Sequence, residues 1–555
     1  MSKQVTIYCK NTKKYHDFPI GTSLIEIYEY LNIKLKYDVV AARVNYKVED
    51  LNFLVYKPKD IEFIDASIAS GMRVYVRTLC LVLSYAVKQL YPDAVLRILH
   101  SISKGYYCRI DYLDKPLSAE DIENIKSEMK KCILRGDKII AEEKQVKEVK
   151  KLFAQQNNKH EDLFLFETIN VPYMRFFRLN DYIDYYNGVL LPSTDKLNIF
   201  DLLPYYDGFL LRIPSREDPV RLENFEVMPK LYEIFNEFVS WNKLMNLNTI
   251  GEFNIACKNK QSFDLIKISE ALHEKKVAYI ADMIDQRQNV KLVLISGPSS
   301  SGKTTLSKRL SVQLMVNGLK PVIISMDNYF VDRVNTPKDE SGDYDFETLH
   351  ALDLPFFNKQ MKQLLNGEEV ELPFYNFENG TRMFKGEKIR LQHDTVIILE
   401  GIHALNPELL TEIPKEKIFK IYVSALTTIS IDNHNWVPTT DTRLLRRIIR
   451  DHRYRNYSAR DTIARWPSVR RGEEKWIFPY QEDADVMFNS ALIFELAVLK
   501  KHAEPILAEV PKYCDEYTET HRLLKFLNFF VPILDSEIPP TSLLREFLGG
   551  SSFRY

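Results

Sequence analysis

Gly297-Pro298-Ser299-Ser300-Ser301-Gly302-Lys303-Thr304-Thr305 follows directly on the apolar run LVLIS and leads into a stretch of helix-forming residues. The spacing is that of a phosphate-binding loop set between a strand and a helix. Its two glycines let the backbone curl so that its N–H groups point inward at a phosphate chain. Lys303 adds a mobile positive charge, and the Thr304 hydroxyl is suited to Mg²⁺. The implied ligand is a nucleoside triphosphate with Mg²⁺. Two carboxylates stand where neighbouring strands should end. Asp327 closes PVIISMD, where it could take the proton of an attacking hydroxyl, and Glu400 closes TVIILE, where it could order the metal shell. Ten arginines lie between Arg443 and Arg471. Such density suggests a lid that closes over the triphosphate and stabilises charge on the transferring group, although helical spacing must spread some of them around the axis.

The elements that must hold these residues are legible as a pattern. From Lys291 to about Val510, LVLIS, PVIIS, TVIILE and FKIYVS alternate with helical stretches, which predicts an α/β fold with a doubly wound parallel sheet and its ligand at the carboxyl ends of the strands. Val5 to Asp65 reads as short strands (VTIYC, VVAARVN, IEFID) around the helix LIEIYEYL, a small α+β module of ubiquitin-like size. Helices are expected over Val76–Leu90 and from Ser118 to about Phe153, the latter ending in EEKQVKEVKK as a solvated helix face. Residues 160–222 read as strands and loops, with turn pairs at Asn187-Gly188 and Asp207-Gly208, and residues 223–288 as helical. The tail carries an apolar helix, HRLLKFLNFF, and a last turn containing LREFLGGSSFRY; its docking surface is left open between the P-loop region and the amino-terminal half.

Composition sets limits. A chain of 555 residues suggests roughly three to five domains. Lys plus Arg (75) balances Asp plus Glu (76), so no global field recruits nucleic acid or a membrane. Six scattered cysteines contain no C-x-x-C pair, which argues against a zinc knuckle or a disulfide framework and fits a reducing cytoplasm. Residues 1–30 carry no secretory pattern, and no apolar run approaches the ~20 residues that span a bilayer. His100, with no Cys or carboxylate partner nearby in sequence, reads as structural.

The succession GPSSSGKTT, SMDNYF, YDFETLHALD, PFYNF with Arg382 following, ILEGIHAL and DTRLLRRIIRD resembles the uridine kinase family over roughly residues 290–500, with phosphoribulokinases and pantothenate kinases as near relatives. The resemblance implies transfer of the γ-phosphate of ATP or GTP to the 5′-hydroxyl of a nucleoside. Asp327 would be the general base, Lys303 and the loop 297–305 would hold the phosphates, and Thr304 and Glu400 would serve Mg²⁺. Phe346, Tyr375 and Phe377 match aromatics around the nucleobase, while Arg447, Arg450, Arg455 and Arg460 match acceptor- and phosphate-facing arginines. The chain also departs from the family. Glu347 replaces the aspartate that binds the ribose hydroxyls, Gly380 stands where a histidine meets the pyrimidine, and Phe330 replaces a tyrosine. The segment RWPSVRRGEEKWIFPYQ is also unlike the usual lid. A nucleoside kinase is therefore implied more firmly than a uridine kinase.

Residues 1 to about 70 resemble a TGS domain through Gly21-Thr22-Ser23-Leu24, Ala41 to Asn45, Leu51 and Ile61 to Asp65. Residues 73 to about 150 resemble the start of the threonyl-tRNA synthetase editing domain, but its His-x-x-x-His pair falls on Leu81 and Tyr85, which removes the deacylase chemistry. The implied organisation is a TGS-like domain at 1–70, a synthetase-like α+β region at 71–222, a helical connector at 223–288, the P-loop kinase at 289–510 and a tail at 511–555. A homo-oligomer is expected by family habit. The competing readings are a nucleotide-dependent RNA- or ribosome-associated regulator, reached through the TGS-like domain, and a P-loop kinase of a non-nucleoside acceptor. The absence of an N-K-x-D motif and the presence of Asp327 weigh against the first. The aromatics weigh against the second.

Overall fold

Five parallel strands order as Lys320–Ser325, Thr395–Glu400, Leu292–Ser296, Ile418–Ser424 and Val486–Asn489 in the computed structural model. The model describes residues 3–554 apart from 114, 157–159, 340, 341 and 343. The P-loop strand Leu292–Ser296 lies in the middle and every one of its residues is buried, which is why LVLIS shows no alternation: both faces of the sheet are covered. Four of these strands sit where the sequence pattern puts them. The fifth was not anticipated, because Val486–Asn489 is only four residues long. The carboxyl end of the P-loop strand is flanked by those of Thr395–Glu400 and Ile418–Ser424, so everything that leaves those ends converges on one crevice. Val370–Asn376 and Thr381–Ile389 pair antiparallel to each other in a separate two-stranded ribbon.

The amino-terminal module is a five-stranded sheet ordered Lys14–Pro19, Gln4–Cys9, Lys59–Asp65, Val39–Val44 and Lys47–Glu49, with the helix Leu24–Leu31 held at its start by a Ser23–Glu26 capping box. The next helix begins at Ala69, earlier than Val76, and runs to Leu90. Leu81 and Tyr85 are buried within it. His100 is also buried, its ring stacked on Phe235 at 3.6 Å.

The expected helix from Ser118 to Phe153 does not form as one piece. It stops at Arg135, where Gly136 takes a left-handed conformation (φ 63°) and caps the last turn. Ile139–Gln145 is then a strand, antiparallel to Tyr173–Leu179, and helix resumes only over Val146–Ala154. EEKQVKEVKK is thus split between a strand and a helix, and Glu142 pairs with Arg178 across the ladder at 2.6 Å. Within 160–222 a helix, His160–Thr168, precedes the strands, which the strand-and-loop expectation did not include. The connector is helical as expected, over Pro229–Leu244, Ile250–Lys258 and Ser262–Gln286.

The tail docks on both halves of the chain: its helix Tyr517–Leu527 meets the amino-terminal half, where Glu519 pairs with Arg73 and the Thr518 hydroxyl donates to the Tyr46 carbonyl at 2.8 Å, and its last segment packs on the kinase. Leu543, Leu544 and Phe547 are completely buried in the same core as Leu306 and Leu310 of the P-loop helix Lys303–Val316. All six cysteines are free. Among the described residues, no helix is long and apolar enough to cross a membrane.

Candidate active site

The P-loop needs its glycines for space. A Cβ on Gly297 would lie 2.0 Å from the Val423 carbonyl oxygen, and one on Gly302, whose φ is 89°, would lie 2.6 Å from Leu543. Lys303 is buried and its Nζ donates to the carbonyls of Gly297 and Pro298 at 2.8 and 3.1 Å, so the ammonium is folded over the loop it belongs to. The Ser300 and Ser301 hydroxyls are buried with no hydrogen-bond partner among the described residues. Unpaired buried hydroxyls carry a desolvation cost of about 1–3 kcal/mol each, which phosphate oxygens would relieve.

Asp327 leaves the end of Lys320–Ser325 in a short 3-10 turn, and Glu400 is the last residue of its strand, in register with Ser325 on one side and Ile295 on the other. Burial pushes the Asp327 carboxyl above its usual range, against the pull of Lys303, Arg455 and Arg450. Burial likewise pushes Glu400 up to about 7; Asp327 adds to the shift and Lys303 opposes it. One cleft therefore holds two carboxylates of raised proton affinity, Glu400 in part because of Asp327, facing the Lys303 ammonium and the Arg450 and Arg455 guanidiniums.

Helix Thr439–Arg455 aims its arginines at the loop. Arg447 Nη1 donates to Ser299 Oγ at 2.9 Å, Arg443 Nε to the Ser299 carbonyl at 3.0 Å, and Arg446 Nη1 to the Ser300 carbonyl at 3.3 Å. Arg443 and Arg446 belong to the arginine run whose density suggests a lid over the triphosphate. Each is fully buried and paired with its own carboxylate, Glu473 and Glu495, so they support the P-loop backbone. The signal was present in the spacing: 443, 446, 447 and 450 fall on one helix face. Arg450 and Arg455 both lean on Asp451, and the Arg450 charge is the chief cause that brings Arg455 down to about 10. Arg460 is not brought into this group; its Nε is paired with Glu516 at 3.2 Å.

The opposite wall is aromatic. Phe330 and Tyr375 are buried, with ring centroids 5.6 Å apart, and Phe377 meets Tyr375 at 5.1 Å while remaining 57% exposed. Phe346 is half-exposed and its ring lies by Tyr344, outside this cluster. Arg382 pairs with Asp353 at 2.9 Å and lies over the Phe356 ring. Glu347 sits against the helix Ala459–Trp476: a Cβ on Gly472 would come within 2.3 Å of its own Cβ. Burial pushes its carboxyl up to about 7 in spite of Arg447 and Lys303. Gly380 is not an open gap left by a missing histidine. Its φ is 69°, and the Arg333 side chain fills the space beside it, 2.7 Å from where a Cβ would stand.

Residues 292–493 match the phosphoribulokinase / uridine kinase family. A uridine kinase from Ligilactobacillus salivarius is 30% identical over 203 residues, covering 36% of this chain and 86% of that enzyme. The chain belongs to this family. A second family member, a uridine kinase from Borrelia duttonii, is 31% identical over 199 residues, 36% of this chain and 85% of its own length. The family's kinase domain implies a nucleoside triphosphate donor. The amino-terminal region resembles threonine–tRNA ligases. That of Clostridioides difficile is 31% identical over 186 residues, 34% of this chain, and the chain spans only 29% of the ligase's length.

Proposed function

We propose that this protein transfers the γ-phosphate of ATP or GTP to the 5′-hydroxyl of a nucleoside. The observation that carries the reading is the placement of Asp327, a carboxylate of raised basicity in electrostatic reach of Lys303, Arg450 and Arg455, on the turn that also carries Phe330 of the aromatic wall. Asp327 Oδ takes the proton from the acceptor hydroxyl, and its raised proton affinity suits a general base. Lys303 turns from its own loop carbonyls to the phosphates, joined by the orphaned hydroxyls of Ser300 and Ser301. Arg447, Arg450 and Arg455 stabilise the charge that develops on the transferring group.

The mutual repulsion of Asp327 and Glu400 suits a divalent cation. Thr304 and Glu400 would hold Mg²⁺, which when bound neutralises charge on the phosphates. Phe330, Tyr375 and Phe377, packed edge to face, line an apolar wall for a base, and Glu347 is the residue that would meet the ribose hydroxyls. With Arg333 occupying the neighbourhood of Gly380, base choice is expected to differ from that of a site which reads the pyrimidine through a histidine.

The test is ADP or GDP formation with Mg²⁺ over a panel of ribo- and deoxynucleosides, with each product identified by mass. Turnover that depends on one nucleoside, giving its 5′-monophosphate, is expected. Turnover with sugars or sugar phosphates alone would overturn the acceptor assignment.

A further inference from the structure

The tail does more than complete the core. Glu546, on the short helix Arg545–Leu548, reaches the first turn of the P-loop helix, where its Oε2 accepts hydrogen bonds from the Thr305 N–H at 3.2 Å and from the Thr305 hydroxyl at 2.6 Å. The first-turn N–H groups of a P-loop helix are the donors that meet nucleotide phosphates, and Thr305 directly follows the Lys303-Thr304 pair. Lys303 and Glu400 both feel the Glu546 charge. A carboxylate of this chain thus holds a donor that a phosphate oxygen would use.

The segment around it is fixed. Leu543 lies against Gly302, Ser542 Oγ donates to Glu270 at 2.5 Å, Arg453 donates to the Leu548 carbonyl, and the Arg446 guanidinium stands over the Phe547 ring at 5.2 Å. Leu543, Leu544 and Phe547 have no exposed surface, whereas Glu546 is only partly buried. The backbone of the tail stays in place, and one side chain is able to swing.

We propose that Glu546 is a built-in competitor for the nucleotide phosphates: its carboxylate occupies the Thr305 donors, and nucleotide binds by displacing it. The inference rests on the P-loop reading above and deepens it by assigning a regulator of that same site. The carboxylate sets nucleotide affinity below what the P-loop alone would give, by both a lost hydrogen-bond pair and like-charge repulsion.

The experiment measures ATP and adenosine affinities by calorimetry on the full chain, each ligand titrated alone, for wild type, Glu546→Gln and the exposed tail control Glu537→Gln. Glu546→Gln keeps the side chain's shape and removes its charge. The expected result is ATP binding at least about fivefold tighter than wild type, with adenosine affinity unchanged and Glu537→Gln like wild type. Taking the ratio of ATP to adenosine affinity within each protein cancels any loss of folded fraction. An unchanged or lower ratio in Glu546→Gln, or an equal rise in Glu537→Gln, would overturn the proposal. Because ATP is titrated alone and no transfer is read, failure of the nucleoside-acceptor assignment leaves this result standing. Absence of binding of both ATP and GTP in wild type and variant would overturn the two together.

Discussion

Replacing Glu473 by Gln should destabilise the kinase more than any single change on its surface. The Glu473 carboxylate has 0% of its side chain exposed and Arg443 has 1%; Glu473 also accepts from Arg470 Nη1 at 2.9 Å. Glutamine keeps the volume but leaves the Arg443 guanidinium buried without its counter-charge. Breaking a buried pair on one side costs roughly 3–5 kcal/mol, a large share of a typical domain's 5–15 kcal/mol. Replacing both partners is different: Arg443→Met with Glu473→Leu removes both desolvated charges and should recover most of that loss. The double variant should nevertheless bind ATP more weakly, because Arg443 Nε no longer holds the Ser299 carbonyl. The assay is urea unfolding followed by tryptophan emission, since Trp466 and Trp476 lie on the helix that carries Glu473 and the Arg443 guanidinium stands 5.4 Å from the Trp466 ring. If Glu473→Gln unfolds within about 1 kcal/mol of wild type, or the double variant is no more stable than the single one, the pair does not carry the load assigned to it.

Three further outcomes are expected. Asp327→Asn should lower the transfer rate by roughly 10²–10⁴-fold while calorimetric ATP affinity changes little, and parallel loss of both would remove its role as base. Gly380→His forces a side chain into a left-handed position against Arg333, so it should destabilise the ribbon by about 1–3 kcal/mol rather than sharpen pyrimidine preference; an unchanged melting temperature with a new preference would contradict this. Burial pushes the Glu519 carboxyl up, but Arg522 and Arg73 more than offset it and hold it at about 2. A depressed carboxylate stabilises the fold above its unfolded value of 4.5 and loses that contribution as pH falls toward 2. The loss, of order 2–3 kcal/mol, should appear in acid unfolding curves of wild type and be absent in Glu519→Gln.

The parallel sheet was readable because its strands are continuous apolar runs ending in chemistry-bearing residues. Lys303, Asp327 and Glu400 therefore had assignable positions before any coordinates. Helix Thr439–Arg455 was readable as arginine-rich, yet the division of labour along it was not: the burial of Arg443 and Arg446 depends on Glu473 and Glu495, which lie 30 and 49 residues downstream. Arg460 looked like a site residue through the family resemblance, but Glu516 claims it from the tail. The strand Ile139–Gln145 was hidden because its Lys and Glu residues carry helix propensity, while its partner Tyr173–Leu179 lies beyond any local window. Gly380 illustrates the same limit, since the meaning of an absent side chain depended on Arg333, which reaches the ribbon's turn from a 3-10 helix far upstream.

The burial of Leu543 against Gly302 also has a temporal side. The P-loop and its helix are synthesised early in the second half of the chain, and the residues that cover them come near position 543, after every strand of the parallel sheet. Contacts between segments so distant in sequence form slowly, because a long loop must close before they yield any stabilisation. On the ribosome, the nucleotide cradle therefore stays without its apolar cover until the tail has left the exit tunnel, and a chain arrested shortly before that point would present the loop motif without the packing that shapes it.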